Sequence, residues 1–280
     1  MAFKAPIDHD VLNIFIGFDN RQPVAFTALM MSIIEFSTKP VAIHPLVIQQ
    51  LPITNTGLTP FTFTRFLVPW LMGYEGRALF IDTDTLFLAD PAPLFGLDPN
   101  HNCAVLVADL PWEYAFERAS VMLFNCEHPD NAILTPQFAQ ERRSTMIDWT
   151  EKIGYFPDVW NHLVGYLPPN ADARLAHFTQ GLPTFDETRG SEHGALWFRS
   201  CQMAMGTLKW SELMSQSVHT KTLPDGRQVA KLYDPNAEKI GEDMSKHSKR
   251  PEKDTNAPRK PRARTKAGRK QRRRTVKAKT

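Results

Sequence analysis

"GRALFIDTDTLFLADP", residues 76–91, is the stretch on which the fold turns. An apolar run, Ala78 to Ile81, leads into Asp82-Thr83-Asp84, and the chain becomes apolar again at Leu86-Phe87-Leu88. A short apolar run bounded by Gly76 and an acidic turn reads as a buried strand. Residues i and i+2 of a strand face the same way, so Asp82 and Asp84 can aim their oxygens at one place. Burying an unpaired carboxylate is costly, and two close together also repel. A cation is the simplest compensation. A hard ion such as Mg²⁺ or Mn²⁺ suits two carboxylates at a strand end and would in turn hold a substrate diphosphate. The competing reading is that Asp-Thr-Asp merely opens a turn. A D-x-D arises roughly once by chance in a chain of this size; Asp8-His9-Asp10, in a polar leader, is such a case. What distinguishes Asp82 and Asp84 is the apolar sequence on both sides.

Working outward, "NIFIGF" (13–18) is a buried first strand, and "VAFTALMMSIIEFS" carries apolar residues at helical spacing after Pro23. "VAIHPLVI" (41–48) is a second strand, and "FTRFLVPWLMG" (63–73) a helix closed by Gly73. "RALFID", "CAVLVAD" (103–109) and "SVMLFN" (120–125) are further strands. After Cys126 the pattern weakens into helices, loops and the short run "RLAHF". Strands alternating with helices predict an α/β fold, a mostly parallel sheet with helices on both faces.

The 280 residues are 42% hydrophobic and 10% aromatic, ordinary for a globular enzyme. The N-terminal stretch has no basic region followed by a long apolar one, so no secretory signal is expected. Cys103, Cys126 and Cys201 are widely spaced, with no C-x-x-C pair. That spacing argues for a reducing, cytoplasmic setting and against a disulfide framework or a zinc knuckle.

The net charge of +3 conceals a division. From Ser245 onward there are 16 Lys/Arg and 2 Asp/Glu, net +14; the totals of 33 and 30 leave 17 against 28, net −11, for residues 1–244. No aromatic residue follows Tyr233. Residues 1–235 are therefore expected to form the folded domain and 236–280 a disordered Lys/Arg-rich tail.

"TRFLVPWLMGYEGRALFIDTDTLFLADPAPLF" resembles the donor-binding core of family 8 glycosyltransferases, the retaining, glycogenin-like enzymes of the GT-A fold, here of bacterial or phage type. Three further stretches agree in the same order: "NIFIGFD", "SVMLFNCEHP" and "GYFPDVWNHLVGYLPPNADARLAHFTQGLP". The resemblance spans roughly residues 13–185. It implies transfer of a sugar from a nucleotide sugar, UDP-linked, with retention and with Mn²⁺ or Mg²⁺ as cofactor. It places the metal ligands at Asp82, Asp84 and His177, the last opening the closing motif in "HFTQGLPTF". Without the motif order, His177 would read as a structural histidine. The resemblance sets Arg65 toward the donor phosphates or sugar as a catalytic residue; its alternative is a helix-surface arginine lying over apolar neighbours. Gly17, Phe18 and Asp19 fall where the base and ribose bind, or form an ordinary strand-to-loop transition. Asp148 falls roughly where an acidic residue stands near the transferred sugar, or caps a helix. The Lys of the closing motif is missing, since Leu182, Pro183, Thr184 and Phe185 follow Gly181. Either Arg65 and the metal act alone on the leaving group, or Arg174 or Arg189 substitutes.

The tail calls for a polyanion or serves only solubility. Clusters such as "RKPRARTKAGRKQRRR" resemble DNA-coating tails that track phosphates without reading bases. A hydroxylated base in DNA is the preferred acceptor. A glycan or lipopolysaccharide is the alternative, and an inactive GT-A domain that binds nucleic acid is a reading of another class. An anionic membrane suits the tail less, because it offers no apolar or aromatic anchor.

Overall fold

Alternation within the apolar runs builds two cores on one sheet. A computed structural model describes residues 11–98, 100–206, 220–225 and 228–230; the tail expected at 236–280 lies outside the described residues. Six strands pair side by side: β1 (Leu12–Gly17), β2 (Val41–Leu46), β3 (Arg77–Ile81), β5 (Val105–Ala108), β6 (Val121–Asn125) and β7 (Ile153–Phe156). Their order is β2-β1-β3-β6-β5-β7. Only β6 runs against the rest: it pairs antiparallel with both β3 and β5, while β1–β2, β1–β3 and β5–β7 are parallel. The sheet is therefore mostly parallel, as its apolar runs predict, with one reversed strand at "SVMLFN".

Phe15, Ala78, Phe80, Val105, Val107, Met122 and Phe124 face one core, capped by Phe66, Leu67 and Val68. Ile14, Ile16, Leu79, Ile81, Leu106 and Leu123 face the other, covered by Leu29 and Ile33 of α1 (Pro23–Phe36). Strands buried on both faces read as continuous apolar runs, which is why the sequence showed them without alternation. The fold is α/β, as the alternation of strands and helices predicts.

The single helix expected at 63–73 is instead a 3₁₀ turn, Thr64–Leu67, passing into α2 (Val68–Leu71). Pro69 has no N–H for the carbonyl of Arg65, so the α-helical ladder cannot run through that turn, and Val68 N–H bonds Arg65 O. Gly73 (φ +65°) then ends the segment as its composition predicts.

Beyond Cys126 the chain adds what the sequence left vague. α3 (Ala92–Phe95) and α4 (Pro136–Glu141) are short; Thr135 caps α4 by accepting the N–H of Phe138 at 3.2 Å. β4 (Thr85–Phe87), β9 (Leu175–His177) and β8 (His162–Leu163) make a second small sheet in the order β4-β9-β8. "RLAHF" is thus its central strand. α5 (Gly194–Met205) packs against α1 through Trp197 and Cys201, which share a core with Ala25 and Ala28. Intrachain contacts divide the protein into two units, Met1–Ser215 and Gln216–Thr280. In the second unit β10 (Thr220–Thr222) and β11 (Gln228–Ala230) form an antiparallel pair. Among the described residues no helix is long and apolar enough to cross a membrane.

Candidate metal and donor site

Asp82 lies one residue past the last pairing of β3 with β1, at Ile16–Ile81. Its N–H donates to Ser120 O at 2.9 Å, and its carbonyl accepts from Thr85 Oγ1 at 2.9 Å. These bonds fix the turn that carries the chain from β3 into β4. Phe178 N–H bonds Asp84 O at 2.9 Å, and β4 sets Thr85 opposite His177. Two strands from different sheets thus deliver three side chains to one point, where ligand atoms of Asp82, Asp84 and His177 all lie within 4.8 Å of one another. This is the C-terminal edge of the parallel strands, where open α/β sheets bind ligands.

His177 is 2% exposed, and its orientation is fixed from behind. Nδ1 lies 2.9 Å from Asn161 Oδ1. Asn161, fully buried, donates through Nδ2 to Glu117 O at 3.0 Å, so its amide oxygen faces the imidazole. Nδ1 must then carry the proton of that bond, and Nε2, 3.4 Å from Asp84 Oδ1, faces the carboxylates. Asn161 lies within "PDVWNHLVG", a stretch that carried the resemblance, yet no residue-type rule marks a buried amide as the partner of a histidine sixteen positions on.

Arg65, expected at the donor phosphates or sugar, is seated on Asp82. It is 5% exposed, with Nη2 at 3.0 and 3.3 Å from the two Asp82 carboxylate oxygens, Nε donating to Thr62 O at 2.7 Å and Nη1 to Ala119 O at 2.5 Å. Its guanidinium also lies 4.8 Å from the centre of the Phe80 ring. It is a buried, multiply bonded cation, not a surface arginine over apolar neighbours. Each carboxylate therefore has its own cationic partner in the protein, Arg65 for Asp82 and His177 for Asp84, where the sequence alone suggested a metal as the sole compensation.

The electrostatics follow. Burial pushes the Asp82 carboxyl up to about 6, with Arg65 opposing and Asp84 reinforcing the rise. Burial acts the same way on Asp84, but the His177 charge outweighs it and holds that carboxyl below its ordinary range. On His177, burial favours the neutral ring, and Asp84 overrides it, so the imidazole is raised. His177 Nε2 and Asp84 Oδ1 face one another at 3.4 Å.

Gly17 ends β1 beside this edge, and Phe18 and Asp19 follow it. A Cβ on Gly17 would lie 2.1 Å from Cδ2 of the buried Phe61 ring, so glycine is needed there for packing whatever else binds. Asp19 is occupied: its carboxylate accepts from Arg21 Nη2 at 2.6 Å and from Arg21 N at 2.9 Å, and the Arg21 bond holds its carboxyl below the usual range. Asp148 lies outside the cluster of Asp82, Asp84 and His177. It is half exposed and paired with Arg142 at 2.6 Å, and no helix starts at it, so it is not a helix cap. Arg174 lies over the Trp160 ring and Arg189 over Phe198, and neither bonds the carboxylates. Glu117 and Ser120 support the site unannounced: Ser120 Oγ donates to Glu117 Oε2 at 2.9 Å, and the two backbone carbonyls hold Asn161 and Asp82.

No family model matches the chain. Protein CDI of Arabidopsis thaliana is 30% identical to it over 223 residues, 68% of this chain and 85% of that protein. Among solved structures, the bifunctional glycosyltransferase WbbM superposes with a TM-score of 0.52 at 14% identity, over 76% of this chain. The glycosyltransferase GlyE of Streptococcus pneumoniae gives 0.51 at 14% over 73%. The chain spans about half of WbbM (52%) and 62% of GlyE. At such identities the likeness is one of fold.

Proposed function

The chain belongs to the family of Arabidopsis thaliana protein CDI, and on that premise, joined to its glycosyltransferase fold, we propose that it is a metal-dependent glycosyltransferase using a nucleotide-sugar donor. The observation that carries the reading is the convergence of Asp82, Asp84 and an Asn161-oriented His177 at the C-terminal edge of the sheet. Two carboxylate oxygens and one imidazole nitrogen fit a divalent ion, and the nitrogen favours Mn²⁺ over Mg²⁺, which prefers an oxygen shell.

When bound there, the ion supplies Lewis-acid neutralisation of the charge that grows on the departing diphosphate. The chain's own residues prepare that place. Asn161 keeps Nε2 of His177 directed at it, and Arg65 holds the Asp82 carboxylate in one orientation. With its N–H groups on Asp82, Thr62 and Ala119, Arg65 acts as a positioning residue, and its charge would add to that of the ion in stabilising the leaving group. Gly17, Phe18 and Asp19 border the volume assigned to base and ribose. UDP as the nucleotide, and retention at the anomeric carbon, follow the resemblance to family 8.

The test is release of UDP from UDP-glucose, UDP-galactose and their N-acetyl forms by the full chain with Mn²⁺, against a chelator control. Chelator-sensitive turnover of one donor is expected. Failure of every nucleotide sugar to bind or turn over with metal present would favour the inactive-domain reading. Asn161→Ala is expected to lower Mn²⁺ affinity about 10- to 100-fold, the usual cost of disturbing the groups behind a metal ligand. Isothermal titration on the folded variant measures it, and unchanged affinity would assign Asn161 to packing alone.

For the acceptor, the contrast between net −11 over residues 1–244 and net +14 over 245–280 supports a polyanion held by the tail. DNA is the polyanion proposed, with a catalytic domain over 1–235 and the basic segment 236–280 raising its local concentration. A glycan acceptor is the competing outcome.

A further inference from the structure

Away from the carboxylate pair, a second group of side chains converges. His162 on β8 meets Glu192 and His193 in the turn that opens α5, thirty residues on in sequence. His162 Nε2 is 2.8 Å from Glu192 Oε2, and His193 Nε2 is 3.2 Å from Glu192 Oε1. Each imidazole thus offers Nε2 to a different oxygen of one carboxylate, and the donor atoms all lie within 4.8 Å of one another. Glu192 is itself steadied by the N–H of Asn170, 2.8 Å from Oε1.

Two features at this turn are costly in a merely hydrogen-bonded cluster. The buried His193 Nε2, though close to Glu192, makes no hydrogen bond among the described residues, and neither does the buried Ser191 Oγ two residues before it. His193 is also held in the left-handed region, φ 60° and ψ 2°, an unfavourable conformation for a residue with a side chain. Backbone strain and an orphaned ring nitrogen coincide at one residue, and a cation accepting that nitrogen's lone pair would account for both.

We propose that His162, Glu192 and His193 form a second metal site, structural in role, that takes zinc and ties β8 to the start of α5. Two imidazole nitrogens and one carboxylate oxygen are a zinc set. The first site, with two oxygens and one nitrogen, suits Mn²⁺, so the two can be told apart by metal. Zinc binding here replaces the hydrogen bond between His162 and Glu192: each neutral ring carries its proton on Nδ1 and gives Nε2 to the ion, Glu192 binds as the carboxylate, and a fourth position is left for water.

The experiment uses the full chain, stripped with chelator and then loaded with Zn²⁺ or with Co²⁺ as its spectroscopic substitute. Expected are one zinc equivalent that Asp84→Asn retains, the visible absorption of tetrahedral Co²⁺, and a higher melting temperature with zinc. His193→Gln should lose that equivalent, with affinity at least about 100-fold weaker, beyond the usual effect of disturbing outer-shell partners. Glu192→Gln, nearly isosteric, serves if His193→Gln fails to fold, and the cobalt spectrum of the unmodified chain needs no variant. Zinc uptake identical in the unmodified chain and both variants, or no tetrahedral cobalt spectrum, would overturn the proposal and leave a hydrogen-bonded His–Glu–His cluster.

Discussion

Asp84→Asn abolishes Mn²⁺-dependent donor turnover, lowering kcat/KM by about 10²- to 10⁴-fold, or ~3–5 kcal/mol of transition-state stabilisation. The substitution keeps the shape of the side chain and removes the charge that both binds a cation and holds the proton on His177. Stability should change little, because Asp84 is a third exposed and buries no large apolar surface. With the negative charge gone, the raised pKa of His177 should return toward its ordinary value, visible as a shift in the imidazole NMR titration. Turnover, melting temperature and titration on one preparation separate the possibilities. Turnover that survives in the variant with chelator present would remove the metal from the mechanism; loss of turnover together with unfolding would mean that Asp84 holds the fold.

The site was legible to the extent that its residues are marked by type and order. Asp82 and Asp84 stand out because apolar strands flank them, and the structure brings His177 to them because β4 and β9 pair. The supporting residues were not legible. A short-range signal cannot reveal that Asn161 meets His177 across a small sheet whose strands have two or three residues each. Arg65 is legible as a basic residue in an apolar segment, but nothing local reveals that its guanidinium meets Asp82, 17 residues away. The sheet itself was read well, since strands covered on both faces have continuous apolar runs. "IGYF" escaped because β7 is an edge strand that exposes Tyr155, and a weakly apolar segment gives little to read. The break at Pro69 shows the opposite failure: apolar spacing suggested a full helix, and a missing N–H decided otherwise.

Removing the chain from Ser245 onward should leave donor binding intact and abolish DNA binding at physiological salt. Every proposed donor and metal residue lies upstream, and the removed segment contains no aromatic residue and only Val276 as a large apolar one. Its 16 basic residues would be the source of affinity, while the remaining body, net −11, is repelled by a phosphate backbone. For an arm that neutralises Z phosphates, log K falls against log salt with a slope of about −0.9Z. With part of the tail engaged, the full chain should give a slope of roughly −5 to −10, a loss of about 10³- to 10⁵-fold in affinity between 50 and 200 mM salt. Binding should be nearly independent of base sequence, because Lys and Arg on phosphates position a protein without reading it. Fluorescence-anisotropy titrations of both chains across salt give the slopes, and parallel transfer assays offer DNA with hydroxylated bases and a soluble glycan. If the shortened chain modifies DNA as well as the full one, the tail does not deliver the acceptor. If neither modifies DNA and a glycan is glycosylated, the acceptor is a glycan and the basic segment has another partner.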